Sequence, residues 1–179
     1  MLQLINLKNT LLAGAVMLLA SCSGQKEVKM GSYAYDAQFL KENGIEYTEL
    51  VSADGNSKVM IVPAWQGRVM TTSASGDEGD SYGWINYRFI REGKVSPQFN
   101  PVGGEERFWL GPEGGPFSLY FKEGQEQVYD NWIVPTVLDT EAFAIKSQDD
   151  SSVHFVKDTR LTNASGTTFD MNIDRTVSL

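Results

Sequence analysis

The last stretch of the chain alternates apolar and polar residues with a period of two. The apolar face of this stretch consists of Phe169, Met171, Ile173, Val177 and Leu179. Successive side chains of a strand point to opposite faces, whereas a helix repeats about every 3.6 residues, so the pattern excludes a helix and predicts a half-buried strand. Arg175 is the exception on the apolar face. Because the alternation runs to the last residue, we expect the chain to be a C-terminally truncated form of a longer domain.

Earlier segments show the same period between turn signals. Asp54-Gly55 is a hairpin signal, and the run 59–62 is continuously apolar, which predicts a strand buried on both faces. Strands are expected at 46–51, 58–64, 68–73, 117–121, 142–146, 153–156 and 159–162. One helix is expected at 35–43, where Ser32 provides the start and Gly44 the end. The sequence therefore predicts a mainly β protein with one short N-terminal helix.

The N-terminus carries a targeting signal. The apolar run 11–20 is shorter than the roughly 20 residues that cross a bilayer, and its length is typical of a signal-peptide core. Leu19-Ala20-Ser21-Cys22 resembles the lipobox of bacterial lipoproteins, and Cys22 is the only cysteine of the chain. The alternative is an ordinary secretory signal in which Cys22 falls by chance.

These features divide the chain into three parts. We expect a signal peptide over 1–21, a lipidated tether over 22–32 and a β-sandwich domain over 33–179. The lipid on Cys22 would attach the protein to a membrane of the cell envelope, on the periplasmic side or at the outer membrane.

Charge and composition exclude several function classes. A formal net charge of −8 argues against a general nucleic-acid binder, which needs a basic face. One Cys and one His are too few for a zinc site of thiolate and imidazole ligands. No dinucleotide or phosphate-loop motif is present, so we expect no metal and no cofactor. His154 is interpreted as a sheet-face residue, with an acid–base role as the alternative.

The segment 97–116 carries the strongest candidate site. It holds five Gly and four Pro, which forbid a regular element through most of it. Its candidate ligand-binding residues are Glu105, Arg107, Trp109 and Glu113. Carboxylates and Arg bond hydroxyl groups and Trp offers a flat apolar face, the combination that a sugar ring requires. Further candidates nearby are Trp65, Arg68, Trp84, Asn86, Asp130 and Trp132. The alternative is a rigid corner in which Arg107 pairs with a Glu and Trp109 fills the core.

Several of these segments also carry a family resemblance. The segments are 63–70, 83–86, 103–115, 130–132 and 173–177. Together they resemble a family of bacterial lipoproteins of unassigned function, which is similar in turn to the galactose-mutarotase-like β-supersandwich. The resemblance implies a sugar-facing sandwich of antiparallel strands. Mutarotases use a His acid and a Glu base, and the single His154 lies in no such context, so no catalytic residue is carried over.

The resulting hypothesis is a membrane-anchored lipoprotein that binds a mono- or oligosaccharide. One alternative is a sugar epimerase or mutarotase completed by residues beyond 179. The other is a non-catalytic structural lipoprotein of the envelope.

Overall fold

The computed structural model describes residues 28–179. The predicted signal peptide, Cys22 and residues 23–27 of the predicted tether lie outside the described residues. Helix α1 spans Tyr33–Glu42, and the Ser32 hydroxyl accepts the Tyr35 N–H at 3.2 Å. Asn43 ends the helix by donating its side-chain amide to the Phe39 carbonyl. The predicted helix is confirmed, and it begins two residues earlier than expected because Ser32 caps it directly.

Within residues 28–179, eight antiparallel strands form three sheets. The strands are β1 (Thr48–Val51), β2 (Lys58–Val62), β3 (Arg68–Ser73), β4 (Trp84–Ile85), β5 (Gly103–Gly104), β6 (Ala144–Gln148), β7 (Ser152–Thr162) and β8 (Thr168–Ser178). The order is β1-β2-β3 in the first sheet, β4-β5 in the second and β6-β7-β8 in the third. A second helix, α2, spans Tyr87–Glu92. The protein is mainly β with a short helix near the N-terminus, as expected.

The central strand β2 explains how the layers pack. Val59 and Ile61 belong to a core shared with Phe155 of β7 in the third sheet. Met60 and Val62 belong to a second core with residues of α1 and α2. The first sheet therefore lies between the helices and the third sheet, and β2 is buried on both faces, as its apolar run predicts.

The close approach of the two large sheets depends on a glycine. A side chain at Gly67 would place its Cβ 2.9 Å from the ring of Phe155. Arg175 of β8 also donates to the Gly67 carbonyl and pairs with Glu106. The two sheets thus form a sandwich-like arrangement that is held by packing and by this ion pair.

Three details differ from the sequence expectation. The segment 117–121 is not a strand: Ser118 N–H bonds back to Gly115, and Phe117 is exposed. The predicted strands 153–156 and 159–162 are one strand, because β7 stays paired with β8 along its whole length. On the apolar face of β8 only Ile173 is fully buried. Among residues 28–179, no helix is long and apolar enough to cross a membrane.

Candidate functional site

Two exposed aromatic side chains lie in the segment that runs beside β3, the last strand of the first sheet. Tyr82 is 60% exposed and Trp84 is 63% exposed. The Tyr82 N–H donates to the Thr72 carbonyl at 3.1 Å and so attaches the segment to β3. We call this pair the Tyr82–Trp84 platform.

Gly83 allows the platform to lie this close to β3. Its N–H donates to the Thr71 hydroxyl at 3.0 Å. A Cβ at Gly83 would lie 1.9 Å from the Met70 carbonyl oxygen, a distance that no side chain tolerates. The glycine between the two aromatic residues therefore fixes the position of both.

An exposed carboxylate lies next to the platform. Strand β5 pairs with β4, with Gly104 opposite Trp84, and the following Glu105 N–H donates to the Val69 carbonyl of β3. The Thr72 hydroxyl donates to Oε1 of Glu105 at 3.0 Å. Thr72 thus connects the Glu105 carboxylate to the strand that also holds Tyr82.

The platform retains free hydrogen-bonding groups. Within the part of the chain that the structure describes, neither the Tyr82 hydroxyl nor the Trp84 indole N–H has a hydrogen-bond partner. Two aromatic faces, a hydroxyl, an indole N–H and a carboxylate are therefore all accessible at one sheet edge. This set can contact both the apolar face and the hydroxyl groups of a sugar.

Arg68 lies beneath this edge and is closed to a ligand. It is 1% exposed and donates to the Gly103 carbonyl and to Oε1 of Gln66, both at 2.9 Å. Burial lowers the pKa of Arg68 to about 10. Gly104 packs against it, since a Cβ there would lie 2.8 Å from Cδ of Arg68. We conclude that Arg68 supports β5 and does not contact a ligand.

A second group of aromatic rings forms a column away from the platform. Trp132 stacks on Tyr120 with ring centroids 5.6 Å apart and an interplanar angle of 5°. Tyr129 stacks on the same Trp132 at 6.3 Å, and Trp109 contacts Tyr120 at 5.2 Å. Asp130, which lies between Tyr129 and Trp132 in the chain, is exposed. Only Tyr129, at the end of the column, is largely exposed, at 74%.

Trp109 and Arg107 already have hydrogen-bond partners in the fold. The Trp109 indole N–H donates to Oε1 of Glu113 at 2.8 Å. Arg107 donates to the Leu138 carbonyl at 2.6 Å, so its partner is not the glutamate that the rigid-corner alternative expects. Burial lowers the pKa of Arg107. The same alternative also expects Trp109 to fill the core, and this part fits better because Trp109 is half-buried against the core.

Two further predicted residues have local structural roles. Asn86 caps α2: its Oδ1 accepts the Phe89 N–H at 3.2 Å, and its amide donates to the Pro101 carbonyl. Trp65 ends the 3₁₀ turn Pro63–Trp65 and packs against the core that contains α1.

The structure therefore divides the predicted residues into three groups. Trp65, Arg68 and Asn86 have the structural roles described above. Trp84 and Glu105 lie together at the platform. Arg107, Trp109, Glu113 and Trp132 lie in or beside the aromatic column, with Asp130 next to it in the chain. Sequence reasoning missed Tyr82 and Thr72, although the spacing Tyr82-Gly83-Trp84 is a signal for two aromatic residues on one face of an extended segment.

The single histidine contacts a carboxylate across two strands of the third sheet. His154 Nε2 lies 2.6 Å from Oδ1 of Asp174 across β7 and β8, so it is a sheet-face residue. Across residues 28–179, no group of three or more His, Cys, Asp or Glu side chains is placed to hold a metal ion.

Comparison with known proteins places the chain in a family. Searches of curated proteins and of solved structures find no match to the chain. Residues 31–179 match a family of unknown function (DUF6786), which covers nearly all of the part described above. The chain therefore belongs to this family.

Proposed function

We propose that the protein binds a mono- or oligosaccharide at the Tyr82–Trp84 platform. The observation that carries this proposal is the pair of exposed aromatic rings held at a strand edge beside the Glu105 carboxylate. A pyranose presents an apolar face that packs on aromatic rings, and its edge carries hydroxyl groups that donate to a carboxylate.

The geometry favours a neutral saccharide. Glu105 is the charged group that the platform offers, and the chain as a whole has a formal net charge of −8. An anionic sugar would be repelled by both, whereas the hydroxyl groups of a neutral sugar donate to Glu105. We therefore expect acidic polysaccharides to bind more weakly than neutral ones.

Isothermal titration calorimetry with a panel of neutral mono- and oligosaccharides tests the proposal. Trp84→Ala and Tyr82→Ala should each weaken binding at least about tenfold, which corresponds to about 1.4 kcal/mol. Glu105→Gln keeps the shape but removes the charge, and it should weaken binding less. Phe117→Ala is the matched control, because Phe117 is 66% exposed but lies outside the platform.

The outcomes separate the remaining functions. Binding that survives Trp84→Ala but not Phe117→Ala would contradict the assignment of the site. A folded protein that gives no heat with any sugar would favour the structural lipoprotein instead. Acceleration of anomer exchange, followed by NMR, would favour a sugar epimerase or mutarotase.

A lipid anchor at Cys22 completes the proposal and would place the sugar site in the cell envelope. Its support is the lipobox-like run Leu19-Ala20-Ser21-Cys22 after an apolar core. Metabolic labelling with an alkyne fatty acid should mark the wild-type protein and not Cys22→Ser. If Cys22→Ser remained in the membrane fraction with unchanged labelling, the anchor would be wrong.

The relation to the mutarotase-like supersandwich belongs to the same proposal. The antiparallel pairing of the strands and the core shared by the two large sheets support it. An experimental structure of the protein with a bound sugar would test this relation. A sugar bound outside the sandwich would contradict it.

A further inference from the structure

A pocket of about 250 Å³ lies on the other side of the first sheet from the large core. It is bounded by α2 and the residues after it, by the 3₁₀ turn Pro63–Trp65 and by Asp139 with Thr140. Its apolar walls are formed by Ile45, Trp65, Phe89, Ile90, Val95 and Val102. We call it the Asp139 pocket, and it shares no lining residue with the Tyr82–Trp84 platform.

A buried carboxylate lines this pocket. Asp139 is 5% exposed. Its Oδ2 accepts the Asn100 backbone N–H at 3.0 Å and the Asn100 side-chain amide at 2.7 Å, whereas Oδ1 has only the same backbone N–H at 3.3 Å. An ionised carboxylate offers about four acceptor positions. Oδ1 therefore keeps acceptor capacity that the protein leaves unused.

The side-chain amide of Asn100 has no further N–H to offer to Oδ1. The Asn100 amide also donates to the Ser96 carbonyl, so both of its N–H bonds are used. No Lys, Arg or His side chain of residues 28–179 forms an ion pair with Asp139. Leaving a buried acceptor short of partners is costly, so a ligand that brings a donor gains from this site.

Charge favours a neutral ligand. Arg68 and Arg107 lie close enough to act on the Asp139 carboxylate electrostatically, and Lys94 lies at the pocket wall. These cations repel a cationic ligand, and the Asp139 carboxylate repels an anionic one. A neutral donor avoids both penalties.

The walls argue against a sugar in this pocket. A pyranose has hydroxyl groups around its whole edge, and each needs a partner when it is buried. Besides Asp139, the lining offers few polar side chains, chiefly the Thr140 hydroxyl and Lys94. A ring with one hydrogen-bonding group therefore fits these walls better than a ring with several such groups.

We infer that the Asp139 pocket binds a neutral, largely apolar ring compound that carries one N–H or O–H donor. The donor bonds Oδ1 of Asp139, and the ring contacts Trp65 and Phe89. This ligand class differs from that of the platform, and the inference does not depend on sugar binding.

Indole and benzofuran form a matched pair of probes, because they have nearly the same shape and only indole has a donor N–H. Titrations followed by ¹H–¹⁵N NMR should show that indole shifts the Trp65 indole signal and that benzofuran binds at least about tenfold more weakly. Benzylamine, which is cationic, should also bind more weakly than indole. Equal affinity for indole and benzofuran would overturn the role of Asp139, and tighter binding of benzylamine would overturn the neutral ligand class.

Two variants locate the site. Asp139→Asn can keep its carbonyl oxygen toward Asn100 and present an amide N–H₂ to the pocket, so it should lose the preference for indole. Trp84→Ala should bind indole as the wild type does, which separates this inference from the proposed sugar site. If Asp139→Asn fails to fold, the NMR titration of the wild type still decides. The inference is contradicted if indole shifts the signal of Trp84 and not that of Trp65, or if indole shifts neither signal.

Discussion

The guanidinium carbon of Arg107 lies 4.0 Å from the centre of the Trp109 ring. The same indole contacts Tyr120, and its N–H donates to Glu113. These contacts use the ring and the polar group that a sugar would need at Trp109. We therefore place the proposed carbohydrate site at Trp84, whose ring is exposed and whose N–H has no hydrogen-bond partner within residues 28–179.

Trp109→Ala should destabilise the fold and leave sugar binding at the platform nearly unchanged. The substitution removes the packing of the indole on Tyr120 and Arg107 and leaves a cavity at the edge of the core. We expect the free energy of unfolding to fall by roughly 3 kcal/mol, the lower end of the range for Trp→Ala in a core. Urea unfolding measures this loss, and calorimetry of the folded variant measures sugar binding.

Trp109→Phe serves as the control for this prediction. It keeps a ring against Tyr120 but loses the bond to Glu113, so its cost should be clearly smaller. A Trp109→Ala variant with wild-type stability and no sugar binding would return the site to the segment 103–115.

Local signals predicted α1 and the strands that pair with a neighbour in the chain. Ser32 caps α1 through its own hydroxyl, and 68–73 forms β3 with the predicted bounds. The strand predicted from the alternation in 117–121 does not form, because a strand also requires a partner strand. Ile133 N–H bonds the Tyr120 carbonyl, but no ladder follows.

Which candidate rings are exposed could not be predicted from the sequence, for a similar reason. Aromatic and charged residues of 97–116 have the composition of a sugar site, but exposure depends on which rings pack on each other. Trp109 packs on Tyr120 and is half-buried, whereas Tyr82 and Trp84 lie on a sheet edge with their rings in solvent. The spacing of Tyr82 and Trp84 puts both residues on one face, but no local pattern says whether the rings of that face are exposed.

Gly83→Ala should disrupt the platform. The added Cβ would lie 1.9 Å from the Met70 carbonyl oxygen, so the segment must move away from β3 and lose its bonds to Thr71 and Thr72. We expect a loss of about 2 kcal/mol or more in the free energy of unfolding, together with loss of sugar binding. Thermal melting and calorimetry measure the two effects.

Gly114→Ala is the matched control for Gly83→Ala. The nearest atom to its added Cβ is Oε1 of Gln127 at 3.7 Å, an ordinary contact. Its stability should stay within about 0.5 kcal/mol of the wild type. Equal effects of the two substitutions would show that the contact with Met70 does not fix the platform.

Asp36 joins the two helices, and its removal should be costly. It is 1% exposed on α1, and its two oxygens accept the hydroxyls of Ser81 and of Tyr87 on α2. Asp36→Ala leaves both hydroxyls without this acceptor and should cost roughly 3 kcal/mol, because hydrogen bonds to a charged group are worth more than neutral ones. Tyr87→Phe removes one of the two bonds and should cost about half as much in urea unfolding. An Asp36→Ala variant as stable as the wild type would show that ring packing, such as that of Tyr87 on Phe39, and not the carboxylate joins the helices.

The ion pair between Glu141 and Lys157 should make stability depend on acid pH. Lys157 Nζ lies 2.6 Å from Oε2 of Glu141, and the bonds from Lys157 and Thr136 lower the pKa of Glu141 from its ordinary value of 4.5. Because the folded pKa is the lower one, the stabilisation is fully present above 4.5 and is lost as pH falls through the lowered folded pKa. The Glu141 side chain is 40% exposed, so solvent screening limits the contribution to under about 1 kcal/mol.

Urea unfolding over a series of pH values measures this contribution. Glu141→Gln should be less stable than the wild type at neutral pH, and the difference should vanish in acid, where the wild-type carboxyl is also neutral. Glu126→Gln is the control, because Glu126 is exposed and has no ion pair among the described residues. A stability difference for Glu141→Gln that stays constant down to acid pH would mean that side-chain shape, and not the charge of Glu141, stabilises the contact with β7.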